Sequence, residues 1–117
     1  MDSRIRRAVN LLKAQPTRRF RTLELAQAVN LSPWYFSRLF MQEMQESPHQ
    51  FSRQLRLEQA RVLLEQSFLR VKEIMAAVGI NDKSHFAKEF KRAYGLSPIQ
   101  YRRRHAMAIL PEIVGNK

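Results

Sequence analysis

The chain reads as an all-α protein, and three observations carry that reading. Apolar residues recur at helical spacing along nearly its whole length. It holds only three glycines, and no stretch alternates apolar and polar residues as a half-buried strand would. Its second half repeats its first at an almost constant offset, with a helix start signal at each corresponding point.

Ile5, Ala8, Val9 and Leu12 form the apolar face of a first helix, which Pro16 closes. At an offset of 49, Glu24 then meets Glu73, Leu25 meets Ile74, Val29 meets Val78, Asn30 meets Gly79 and Leu31 meets Ile80. From Ser32 onward the offset is 50, pairing Ser32 with Asp82, Phe36 with Phe86, Arg38 with Lys88, Phe40 with Phe90 and Ser47-Pro48 with Ser97-Pro98. The second copy therefore carries one extra residue between Ile80 and Phe86, and a single-residue slip belongs in a turn. Asn30 and Gly79 are suited to hold that turn in the left-handed region. Each copy thus reads as helix, tight turn, helix, its second helix capped by Ser32 before Pro33 or by Asp82.

Ser47-Pro48-His49-Gln50 and Ser97-Pro98-Ile99-Gln100 each combine a serine cap, a proline at the first helical position and a glutamine at the third. That pattern is a capping box, so both mark helix beginnings. After Pro48 the chain runs to about Gln66 without a breaker, with Phe51, Leu55 and Val62 on one stripe and Leu57, Ala60 and Leu64 on another. A helix with two apolar stripes has something to pack against on both sides. After Pro98 the helix is short and soon reaches Arg102-Arg103-Arg104.

At 117 residues the chain is one domain at most, and its formal net charge of +11 points to a polyanionic partner. Nucleic acid leads, an anionic membrane follows, and a merely solubilising basic surface is the plain alternative. With no cysteine there is no disulfide framework, thiolate zinc site or cysteine nucleophile. The N-terminal stretch lacks the apolar core of a signal peptide, and no apolar run approaches the ~20 residues of a membrane span. The expectation is a soluble, cytoplasmic chain. His49, His85 and His105 sit on three different helices without acidic or cysteine partners at metal-ligand spacing, and no glycine-rich phosphate loop occurs. Each reads as a surface histidine, with no enzyme activity, metal or cofactor expected.

A pair of helix-turn-helix units in a basic all-α chain points to double-stranded DNA, because the second helix of such a unit can lie in the major groove. An ordinary helical bundle is the alternative from spacing alone. The faces of the two second helices help to decide. In the first, Phe36, Leu39 and Phe40 share one face while Trp34, Arg38 and Met41 lie opposite, flanked by Tyr35 and Ser37. In the other, Phe86 and Phe90 face inward, and Ser84, Lys88 and Lys91 lie opposite, flanked by Lys83, His85 and Ala87. Arg38 can fork onto a guanine, Ser37 and Ser84 can bond several base edges, and Ala87 can meet a thymine methyl. Lys83, Lys88 and Lys91 serve phosphate as readily as base. Trp34 has two readings, a lid over the local core or a DNA contact; His85 has a second reading as a polar DNA contact.

The stretches LSPWYFSRLF, RLEQARVLL, VKEIMAAVGI and SHFAKEFKRAYGLSPIQYRR resemble the DNA-binding domain of the AraC/XylS family of bacterial transcription regulators, over about Ile5 to Arg103. The resemblance implies seven helices, two helix-turn-helix lobes and a long central helix that spaces them for successive major grooves. Domain bounds follow as 1–105, with lobes at about 1–47 and 67–105, a connecting helix at about 48–66, and a tail at 106–117. At ~1.5 Å per residue the connecting helix would be ~28 Å long, against a groove repeat of about 34 Å. Because the two reading faces differ, the expected site is asymmetric and bound by a monomer.

Carried over position by position, the family's base-reading residues fall on Trp34, Ser37 and Arg38, and on Lys83, Ser84, His85 and Lys88. Gln45 stands where relatives often have glycine, so the expectation is that the first lobe lacks a left-handed cap there. The resemblance further implies an activator that contacts RNA polymerase, and in many relatives a separate N-terminal effector-binding or dimerisation domain. Two other readings stand beside it: a non-specific or architectural nucleic-acid binder, and the DNA-binding module of a larger effector-sensing or DNA-repair protein.

Overall fold

The computed structural model of the chain describes residues 1–105 and is all-helical, with no strand among the described residues. Six helices run as α1 (Ser3–Ala14), α2 (Thr22–Ala28), α3 (Pro33–Met44), α4 (Pro48–Gln66), α5 (Val71–Val78) and α6 (Lys83–Tyr94). A seventh, α7, is described over 98–105. The tail expected at 106–117 lies outside the described residues. Two compact units divide the chain, Met1–Arg56 and Leu57–Lys117, each with its own apolar core, and α4 begins in one and ends in the other.

The first unit is built on α1, whose Ile5, Ala8, Val9 and Leu12 are all buried. Asp2 caps this helix by accepting from the Arg4 amide at 2.8 Å, and the Asp2 amide donates to Glu43 on α3 at 2.9 Å. The Arg4 guanidinium beside it holds the Asp2 carboxyl down to about 2. Val29 ends the α2 turn, and Asn30 follows in the left-handed region at φ 60°. The Leu31 amide closes the turn by donating to the Ala26 carbonyl at 2.9 Å. That bond, from two residues past the helix end back to its last turn, is the Schellman arrangement. Leu25, Ala26, Phe36 and Phe40 complete the core, with Phe51 and Leu55 of α4 packed against it.

The second unit repeats the turn. Gly79 is left-handed at φ 76°, and the Ile80 amide donates to the Met75 carbonyl at 2.9 Å. Arg70 and Arg21, the residues before α5 and α2, both donate their amides to the glutamate three positions on, at 2.8 Å to Glu73 and 3.0 Å to Glu24. Both capping boxes close reciprocally. Ser47 Oγ accepts from the Gln50 amide at 3.1 Å while Gln50 Oε1 accepts from the Ser47 amide at 2.9 Å. At Ser97 and Gln100 the two distances are 3.2 and 3.0 Å.

These boxes also set the register of an aromatic side chain. Four residues after each serine stands a ring, Phe51 or Tyr101, that packs edge-on against the inner phenylalanine of the helix before it. Phe40 to Phe51 is 5.9 Å between centroids, and Phe90 to Tyr101 is 5.4 Å. Phe36 with Phe40 and Phe86 with Phe90 add a second contact in each unit, at 5.8 and 5.7 Å. All four phenylalanines of α3 and α6 are fully buried. Removing such a ring would cost about 3–5 kcal/mol, so α3 and α6 are each anchored firmly on one side.

Three expectations need correction. Gln45 does adopt the left-handed cap, at φ 63°, matching Gly95 at φ 83°. Each residue donates its amide to the carbonyl four back, Met41 at 2.9 Å and Lys91 at 2.7 Å. The helix end needs that backbone whichever side chain occupies it. Val62 is half-buried, and it is Leu63 that packs against the second core beside Leu57, Ala60 and Leu64. His105 is not a plain surface residue, because its ring stacks on Tyr101 at 4.2 Å and its Nε2 stands 3.4 Å from Glu65.

Candidate nucleic-acid interface

α3 and α6 start from equivalent caps. Ser32 Oγ accepts from the Tyr35 amide at 3.2 Å, and Asp82 Oδ1 accepts from the His85 amide at 3.0 Å. Each cap satisfies one of the free N–H groups at its helix start. The inward faces are occupied by phenylalanine, so the helical period decides what points outward.

On α3 that outward face carries Trp34, Tyr35 and Arg38, all exposed, with Ser37 half-buried between them. Trp34 is 68% exposed, which removes its reading as a lid over the core. The Arg38 guanidinium lies 5.3 Å from the centroid of the Trp34 ring. An exposed cation–π contact of this kind is worth about 0.5–1 kcal/mol, enough to bias Arg38 towards one direction without locking it. Arg4, from α1, lies 5.8 Å over the Tyr35 ring. That contact escaped the sequence reading, because nothing in the spacing joins a residue of α1 to one of α3.

On α6 Lys83, Ser84, His85 and Lys88 are exposed, and Ala87 is half-buried. His85 is not presented alone, since its Nε2 stands 2.5 Å from Glu89 one turn on. The pairing was visible as an i, i+4 spacing. Any contact from His85 to a base edge must compete with that carboxylate. Met41 on α3 is also exposed, and Lys91 and Arg92 form the basic last turn of α6.

Other basic residues serve the fold. Arg102, first of the Arg102-Arg103-Arg104 run, donates to the carbonyls of Leu63, Leu64, Ser67 and Leu69, where α4 ends. A cation there meets the negative end of the helix and its unpaired carbonyls. Arg61 bonds Glu58 and Glu65 on its own helix and the Tyr101 hydroxyl at 3.2 Å. Among the described residues no group of three or more His, Cys, Asp or Glu could hold a metal ion, and no helix is long and apolar enough to cross a membrane.

Residues 25–104 match the family model described as helix-turn-helix domain. A transcriptional regulator from Chromobacterium violaceum, described as having an AraC-type DNA-binding domain, superposes with a TM-score of 0.81 at 28% identity, over 89% of this chain and 93% of that one. The chain belongs to the AraC family. The DNA-binding domain of AdpA, described as a global transcriptional factor and solved in complex with a target DNA, superposes with a TM-score of 0.79 at 26% identity, over 89% of this chain and 94% of that one. An HTH-type transcriptional regulator of Haemophilus influenzae is 37% identical over 102 residues, covering 87% of this AraC-type chain and 34% of the relative. The chain spans about a third of the length of the first curated relatives it matches.

Proposed function

We propose that this AraC-type chain is a sequence-specific reader of double-stranded DNA that regulates transcription, placing α3 and α6 each in a major groove of one asymmetric site. The observation that carries this reading is the pair of equivalent helices, capped alike and anchored by Phe36 and Phe40 or by Phe86 and Phe90. Their outward faces hold different groups. Arg38, with Trp34, Tyr35 and Ser37 beside it, suits a guanine and its flanking backbone; Ser84, Ala87 and Lys88, flanked by Lys83 and His85, suit a mixed set of base edges. Different faces read different half-sites. DNA complexed to the AdpA domain supports the same partner here.

Its place in transcription we read as that of an activator touching RNA polymerase, working in the bacterial cytoplasm. The relatives' greater length supports a further effector-binding or dimerisation domain in proteins of this kind. Domain limits of 1–105, with α4 as the connector, are part of the proposal. A footprinting series over promoter fragments, with excess competitor DNA at several salt concentrations, tests the core of it. The expected outcome is a protected site bound well above bulk DNA. Uniform affinity for all fragments would favour the architectural reading. Transcription in vitro from the protected promoter, with and without the chain, then separates activation from mere binding.

A further inference from the structure

Within the first unit, a cavity of about 120 Å³ opens between the end of α1, the start of α2 and the first turns of α4. At roughly 10–15 Å³ per water in this measure, it has room for a small polyatomic ligand. Leu12 contributes to its apolar wall, and Thr22, Ser52, His49, Arg19 and Arg56 supply its polar groups; no acidic side chain lines it. Arg19, Thr22 and His49 are exposed, so the cavity is reachable from solvent.

Arg56 is the unusual member. It is only 4% exposed, and its guanidinium donates from Nη1 to the Ser52 hydroxyl at 2.9 Å. No carboxylate pairs with it among the described residues. Glu24, the acid on α2, is committed to Arg18 at 2.8 Å and to the Arg21 amide. Desolvation, with Arg19 and Arg53 nearby, works against the charged form of Arg56. A guanidinium cannot escape by losing its proton. A buried cation without a counter-charge is costly, and its planar fork has five N–H donors, of which the Ser52 hydroxyl takes one.

We propose that this cavity binds one phosphate group, with Arg56 as its buried counter-charge and Arg19, Thr22 and His49 at its entrance. A charge-assisted, forked contact is the geometry a guanidinium offers to a phosphate. The group can come from the backbone of bound DNA or from free phosphate in solution. The first source rests on the function proposed above; the second does not.

The test uses the isotope-labelled chain without DNA, titrated with inorganic phosphate and separately with sodium chloride at matched ionic strength. The side-chain Nε–H resonance of Arg56, assigned by through-bond correlation to the backbone of that residue, should move to saturation with phosphate and not with chloride. Arg19→Gln, at an exposed position, should weaken the phosphate response roughly tenfold, as expected for one lost charge-assisted bond. A resonance that ignores phosphate, or follows chloride equally, overturns the site. Repeating the titration on the DNA complex identifies the source. Loss of the response places a backbone phosphate in the cavity, and a retained response assigns it to the free anion. Failure of DNA binding leaves the DNA-free titration fully interpretable.

Discussion

Arg38 and Lys88 occupy equivalent positions in the two copies, yet the chemistry of each is different. A guanidinium can hold a guanine through two parallel bonds, whereas an ammonium is a point charge. Arg38→Ala should cost about 1–3 kcal/mol and relax preference at one base position, checked by competition against a library of single-base site variants. Loss spread evenly over the library would mean that Arg38 meets only phosphate. Tyr94 makes a different prediction. Burial first, and then the bond from its hydroxyl to Glu58 at 3.0 Å, push its pKa from 10.0 up to about 12. A raised folded-state value means that stability from this group is whole below pH 10 and is lost as the pH climbs through about 12. Thermal melts across that window should fall more steeply for the native chain than for Tyr94→Phe. At this scale the sequence showed the chemistry of each exposed side chain but not its neighbours. Arg4 over Tyr35 and the burial of Arg56 both depend on packing between helices distant in sequence.

Helix ends were the most legible elements, because a cap is a local contract between residues three or four apart. Ser32, Ser47, Asp82 and Ser97 each act where their spacing predicted. Gln45 is the exception, and the reason is physical: the left-handed backbone is imposed by the need to turn into α4, while the side chain merely tolerates it. An L-residue there carries about 1–2 kcal/mol of conformational penalty. Gln45→Gly should therefore stabilise the first unit by up to about 1 kcal/mol, after allowance for the greater freedom of unfolded glycine. Gly95→Ala should do the reverse. An added Cβ at Gly95 meets nothing within 4 Å, so the loss there is pure backbone strain. Denaturant midpoints of the two variants should move in opposite directions. The stripes of α4 were legible only in part, since Val62 and Leu63, neighbours in sequence, point about 100° apart around the helix and packing chose Leu63.

For the molecule as a whole, the duplication and the net charge of +11 were open to direct reading, and together they predict how DNA affinity responds to salt. Five cations stand on α3 and α6: Arg38, Lys83, Lys88, Lys91 and Arg92. If all five displaced counterions, they would contribute about 4.5 to the steepness of log affinity against log salt, at about 0.9 per phosphate. The measured slope should fall between that figure and zero for these residues, plus what the rest of the basic surface adds. Lys88→Ala should lower it by about 1 if Lys88 meets phosphate, with equal loss on every site. Arg102 should contribute none, because its guanidinium is already spent on the end of α4.

The chain has a single tryptophan, and that residue stands uncovered on α3. Tyr94 and Tyr101, in contrast, pack against Phe90 in the second unit. The protein thus carries an indole reporter in the first unit and two packed phenol rings in the second. Indole emission should change when α3 meets DNA and stay indifferent to loss of the second core, whereas the near-ultraviolet dichroism of Tyr94 and Tyr101, the two packed tyrosines, should track that core; the third, Tyr35, is exposed on α3. No dye or engineered label is needed to watch one copy of the repeat while the other is altered.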